Sequence, residues 1–223
     1  MRVSAPFRFG SMAAKPPLTM RGMRIGLLGG SFDPPHAGHV QTSETALRRL
    51  GLDQVWWLVT PGNVLKSRTD LAPLDDRLAL CRNLARNPRI VPTAFEAALP
   101  SRYTAATVAF LLRRNPGVHF VWLMGADCLA DFHRWMHWRE IMTTIPVAVV
   151  DRPGQHLRAM AGRASSTYAR WRLPEARARL IPSARAPAWT LITGPLSPLS
   201  STAIRATSSF AEPGRMAQSI SRD

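Results

Sequence analysis

A doubly wound parallel α/β sheet is the fold class this sequence predicts, and three observations carry the prediction. Short apolar runs alternate with helical patterns in the order βαβαβαβ. The run at residues 118–124 is continuously apolar, as in strands buried on both faces. The first run breaks into glycines and then a helical pattern, the arrangement by which a parallel sheet presents free amides to an anion.

The elements follow in order. Residues 23–28 read as the first strand, and a helix opens at His36 and runs through Val40, Thr45, Ala46 and Leu50 to a stop at Gly51. A second strand is expected at 54–60. Residues 74–87 form an amphipathic pattern with Asp75 and Asp76 in the first turn and arginines later, as the helix dipole favours. A short strand at 89–93, a helix at 104–114 and the apolar strand at 118–124 come next. One helix is expected at about 129–142, a strand at 146–150 and a last strand at 189–193, with an arginine-rich stretch of ambiguous pattern between those two. Ligands of such a sheet bind beyond the carboxyl ends of its strands.

The chain of 223 residues, 46% hydrophobic, is long enough for one substantial core. We divide it into a basic N-terminal extension at 1–22, expected to lack fixed structure, one catalytic domain at 23–206, and a polar C-terminal tail at 207–223. Met20 and Met23 stand just before the first strand, so an over-extended translation start accounts for the extension. The 29 lysines and arginines outnumber 14 acidic residues, giving a net charge of +15. Such a surplus suits nucleic acid, an anionic membrane or a polyanionic small substrate. The arginines are dispersed, without a basic run or interleaved aromatics, so a generally arginine-rich composition accounts for the surplus and no nucleic-acid partner is expected. No stretch approaches the length of a membrane span, so no membrane partner is expected. Cys81 and Cys128 are isolated, which suggests neither zinc nor a disulfide and fits a reducing cytoplasm. Assembly into a homo-oligomer is left open.

The densest chemistry lies in Gly29-Gly30-Ser31-Phe32-Asp33-Pro34-Pro35-His36-Ala37-Gly38-His39. The glycines let the backbone approach an anion, Pro35 suits a first helical turn, and His36 and His39 fall on one helix face, where each can donate to a phosphate oxygen. Lys66 is one of two lysines in an arginine-rich chain, in a loop after a strand, which points to a role that prefers a compact ammonium. Gly125-Ala126-Asp127 follows the apolar strand. On spacing alone Asp127 serves equally as an acceptor for ribose hydroxyls or as a helix N-cap. Ser200-Ser201-Thr202-Ala203-Ile204-Arg205 places hydroxyls at a helix start and an arginine one turn on, a second anion-binding pattern. His133 and His137 have the i, i+4 spacing of zinc ligands but lack the glutamate and a third ligand, so no metal site of the protein's own is expected.

Those motifs, with Tyr103-Thr104-Ala105-Ala106-Thr107, Trp135 and Asp151-Arg152-Pro153-Gly154, resemble bacterial nicotinate-nucleotide adenylyltransferases of the nucleotidylyltransferase superfamily, in order and approximate spacing from about residue 23 to 206. The resemblance implies a Rossmann-like nucleotidylyltransferase fold. It also implies transfer of AMP from ATP to nicotinate mononucleotide, giving deamido-NAD and pyrophosphate, with Mg2+ accompanying ATP. By that resemblance Gly30, Ser31, Phe32, His36, His39, Lys66, Asp127, Ser201, Thr202 and Arg205 hold ATP, with His36, His39 and Arg205 acting on its phosphates. Thr104, Trp135 and Arg152 belong to the mononucleotide site. Two departures stand out. The loop after the second strand, Thr60-Pro61-Gly62-Asn63-Val64-Leu65-Lys66, has no counterpart of the histidine in the family's P-P-H-K, and Ser31 replaces a threonine while keeping the hydroxyl. Rival readings are an adenylyltransferase for nicotinamide mononucleotide or phosphopantetheine, or a non-catalytic basic nucleic-acid-binding protein.

Overall fold

The computed structural model describes residues 15–62, 71–151 and 154–194. Six strands form one sheet: β1 (Arg24–Gly30), β2 (Gln54–Val59), β3 (Ile90–Thr93), β4 (His119–Gly125), β5 (Val147–Val150) and β6 (Trp189–Ile192), in the order β3-β2-β1-β4-β5-β6. Every pairing is parallel, with Leu27 opposite Trp56 on one side and Trp122 on the other. The chain therefore starts in the middle, winds outward to β3, returns across β1 to β4 and winds outward again. The reversal opens a crevice beyond the carboxyl ends of β1 and β4.

Alternation within each strand divides the interior into two layers. Ile25, Leu27, Trp56, Phe120, Trp122 and Val149 face α3 (Thr104–Arg114), α4 (Ala126–Asp131) and α5 (Trp138–Thr144). Leu28, Val55, Trp57, Leu123 and Val150 face α1 (Ala37–Leu50) and α2 (Leu74–Leu84) on the other side. Burial on both faces explains why the strands read as unbroken apolar runs.

The expected doubly wound sheet is present, and most elements fall within one or two residues of their expected bounds. Gly51 ends α1 as expected, with φ +66° and its N–H returned to the Leu47 carbonyl. Three expectations need correction. Pro35 lies before the helix: His36 is the N-cap and α1 opens at Ala37. The single helix at 129–142 is broken into α4, a 3-10 turn at Phe132–Arg134, and α5, because His137 takes a left-handed conformation (φ +58°) that no α-helix continues through. The ambiguous arginine-rich stretch forms α6 (His156–Met160), α7 (Arg163–Thr167) and 3-10 segments at Ala169–Trp171 and Glu175–Ser183.

Candidate active site

The histidine loop sits at the carboxyl end of β1, at the reversal point. His36 takes an extended conformation and caps α1 with its own ring: Nδ1 accepts from the Gly38 N–H at 3.1 Å. His39 answers, its Nδ1 accepting from the His36 N–H at 3.2 Å. The pair forms a capping box in which imidazoles take the places of the usual hydroxyl and carboxylate. A neutral imidazole that accepts at Nδ1 carries its proton on Nε2, so both rings are held in the tautomer that makes Nε2 the donor. Their centroids are 3.9 Å apart, which brings two donors to one end of one helix.

Aromatic packing fixes that pair from below. Phe32 is buried, with φ +48°; its ring lies 4.5 Å from His39 and stacks on Trp57 at 5.1 Å. Trp57 in turn donates its indole N–H to the Ser43 hydroxyl at 2.7 Å, and that hydroxyl donates to the His39 carbonyl at 2.8 Å. The glycines before Ser31 serve this packing. A Cβ on Gly29 would stand 2.7 Å from Trp122 Cη2, and one on Gly30 3.2 Å from Phe32 Cε2. Close approach of backbone to aromatic ring is what demands glycine there.

Asp127 is not the N-cap that spacing allowed: the N-cap of α4 is Gly125, and Asp127 lies in the first turn of the helix. Its Oδ1 is buried beside the carboxyl end of β4. Thr104 is the first residue of α3, and the capping position before it, Tyr103, makes no side-chain cap. The opening amides of that helix therefore take no side-chain acceptor from Tyr103. Tyr103 meets His137 edge-on at 5.8 Å, which brings the start of α3 against the turn carrying Trp135. Trp135 follows the 3-10 turn and packs edge-on against Phe132 at 5.3 Å and Trp122 at 6.2 Å. The structure thus brings Gly30, Ser31, Phe32, His36, His39 and Asp127 to the ends of the central strands, and Thr104 and Trp135 to a second group on the α3 face. Lys66, Arg152, Ser201, Thr202 and Arg205 lie outside the described residues, as does the expected tail.

Three residues of this region were missed in the sequence. Arg77 is buried, donating to the carbonyls of Ser31, Thr60 and Ala72. Its signal was a charge on an apolar helix face, within the series Leu74, Arg77, Leu78, Cys81. Glu96 accepts from the Thr107 hydroxyl at 2.8 Å, and burial pushes its carboxyl up to about 7 against the pull of that hydrogen bond. Trp122 carries a buried indole N–H with no hydrogen-bond partner among the described residues, and nothing in its strand distinguished it from a core residue.

Among the described residues, His133 and His137 belong to no group of three or more His, Cys, Asp or Glu that could hold a metal ion. Cys81 is buried, and burial pushes its thiol up to about 12, where it is unreactive. No helix among the described residues is long and apolar enough to cross a membrane.

Comparison with known proteins agrees with this geometry. A family model described as cytidylyltransferase-like matches residues 27–207. A probable nicotinate-nucleotide adenylyltransferase of Mesorhizobium japonicum is 58% identical over 189 residues, covering 85% of this chain and 97% of the relative. Probable enzymes of the same name from Methylorubrum extorquens and Brucella abortus are 57% and 54% identical, each over 82% of this chain and covering 99% and 94% of the relatives. Among solved structures, the Plasmodium falciparum nicotinic acid mononucleotide adenylyltransferase complexed with NaAD superposes with a TM-score of 0.62 at 16% identity, over 82% of this chain and 83% of that one, which shows a shared fold. With the doubly wound sheet and the histidine pair at its reversal point, these matches make the chain a member of the nicotinate-nucleotide adenylyltransferase family.

Proposed function

We propose that this protein transfers AMP from ATP to nicotinate mononucleotide, forming deamido-NAD and pyrophosphate in NAD biosynthesis. The observation that carries the reading is the histidine capping box, which fixes two Nε2 donors at the strand-order reversal, with the start of α3 and Trp135 grouped at the other layer of the sheet. In the reaction a phosphate oxygen of the mononucleotide attacks the α-phosphorus of ATP, the bond from that phosphorus to the bridging oxygen breaks, and pyrophosphate leaves. The attacking oxygen is already anionic at neutral pH, so no general base is required. His36 and His39 donate from Nε2 to phosphate oxygens whose charge grows as the bond breaks. Lys66, Ser201, Thr202 and Arg205 belong to the same role by sequence motif, and Asp127 to the adenosine ribose.

The acceptor lies against α3. Amides at the helix start and the Thr104 hydroxyl suit the nicotinate carboxylate, Trp135 suits the ring, and Arg152 belongs with this half by motif. Mg2+ accompanying ATP would offset charge on its phosphates, which requires no dedicated cage of protein ligands. The two free cysteines and a polyanionic substrate pair suit a cytoplasmic enzyme that binds neither nucleic acid nor membrane. Pyrophosphate release measured with ATP and, in turn, nicotinate mononucleotide, nicotinamide mononucleotide and phosphopantetheine tests the reading. Release with the acid alone is expected, and equal use of the amide would overturn the acceptor assignment.

A further inference from the structure

Among the described residues, Arg77 is the one charged residue in the set of largest fully buried side chains, 1% exposed on the inner face of α2. Its Nη1 donates to the Ser31 carbonyl at 2.5 Å and the Thr60 carbonyl at 2.9 Å, and its Nε to the Ala72 carbonyl at 2.8 Å. Burial lowers its pKa, while Asp33 and then Cys81 act to raise it. An interior guanidinium is costly to desolvate, and these three acceptors are what make it tolerable.

The three carbonyls come from three separate segments. Ser31 belongs to the histidine loop, Thr60 follows β2, and Ala72 precedes α2, so one side chain joins the histidine loop to both ends of the segment in which Lys66 falls. The consequence at Ser31 is directional. In a trans peptide the carbonyl and the next N–H point opposite ways, so a Ser31 carbonyl turned to Arg77 sends the Phe32 N–H to the other side. Phe32, held at φ +48° and stacked on Trp57 and His39, fixes the same peptide from its far end.

We propose that Arg77 is a positioning residue for ATP: tied to the Thr60 and Ala72 carbonyls, it holds the Ser31–Phe32 peptide in the orientation that presents its amide, and not its carbonyl, to the phosphates beside His36 and His39. The proposal rests on the reading of this crevice as the ATP site. Without the guanidinium the Ser31 peptide can turn over, and a carbonyl oxygen then faces phosphate oxygens. The acceptor groups at Thr104 and Trp135 stand on the opposite face of the sheet and do not share this anchor.

The test compares wild type with Arg77→Lys and Arg77→Gln, using calorimetric binding of a non-hydrolysable ATP analogue and steady-state kinetics with both substrates. Lysine keeps the charge but cannot span acceptors in the fixed fork of a guanidinium, so it should bind the analogue about tenfold more weakly, with lower kcat and a KM for nicotinate mononucleotide changed less than about twofold. Glutamine should be weaker still. Unchanged analogue affinity in a folded variant, or equal weakening of both substrates, would overturn the proposal. Loss of fold in both variants would equally overturn it, in favour of a purely structural role. If wild type bound the analogue but released no pyrophosphate with nicotinate mononucleotide, the functional reading would fail while analogue affinity still judged Arg77.

Discussion

His39 completes the cap of α1 and packs on Phe32, and the proposed function gives the same ring a third duty, donation from Nε2 to phosphate. Only the last touches the reaction. We expect His39→Ala to lower kcat by about 100-fold or more, as loss of a donor to developing charge does. The melting temperature should move by only a few degrees, since loss of a cap costs about 1 kcal/mol and a chain of this size shifts by about 2–4 °C per kcal/mol. Near-normal turnover would refute the role, and His36→Ala should lose rate comparably. Both histidines were legible in the sequence because their chemistry is local: a glycine turn, a helix start and i, i+3 spacing place them together. Arg77 was not, because its partners lie 46, 17 and 5 residues away and are backbone carbonyls that carry no residue identity.

At the scale of elements, the proposed function assigns discrimination between acid and amide acceptors to the start of α3 and the turn facing it. Donors that fit a carboxylate leave an amide nitrogen facing another donor, so Thr104→Val should narrow the preference for nicotinate over nicotinamide mononucleotide. Trp135→Ala should raise the KM of both alike, since a stacked ring does not distinguish them; the ratio of kcat/KM values for the two acceptors checks both expectations. The broken helix between Ala126 and Thr144 makes this arrangement possible, and it was illegible because its break depends on His137 at φ +58°, a residue type with no strong breaking signal.

Glu96 anchors α3 from the neighbouring 3-10 turn at Phe95–Ala98. Its carboxyl is raised in the folded state, so the folded protein binds a proton that the unfolded chain releases near pH 4.5. That contribution is fully present below about pH 4.5 and is lost as pH rises towards about 7, the direction opposite to that of a salt-bridged carboxylate. Glu96→Gln keeps an acceptor for the Thr107 hydroxyl and removes the charge. Its melting temperature should therefore exceed that of wild type at pH 8, with the difference shrinking towards pH 5. A constant difference across that range would show that Glu96 stays ionised in the folded protein.

At the scale of the whole molecule, the reversal in strand order makes one ligand a cross-link between two halves. On the proposed function, ATP beyond the ends of β1 and β4 would meet the histidine loop from the first half and the start of α4 from the second, so that neither half alone would complete the site. The doubly wound class was legible because its strands are buried on both faces, but the crevice itself depends on strand order, which no single segment encodes. Binding that selects the folded state adds stability as RT ln(1 + [L]/Kd), about 2.7 kcal/mol at a hundredfold excess over Kd. For a chain of this size that corresponds to a rise in melting temperature of roughly 5–10 °C. The dispersed +15 charge offers the alternative that any polyanion stabilises the fold through the field of the molecule. The two separate by salt and by ligand: the ATP shift should persist at 0.2 M salt and diminish in His39→Ala, while duplex DNA at equal phosphate concentration should give a shift that vanishes with salt. A DNA shift that matched ATP at high salt would return the protein to the nucleic-acid-binding class.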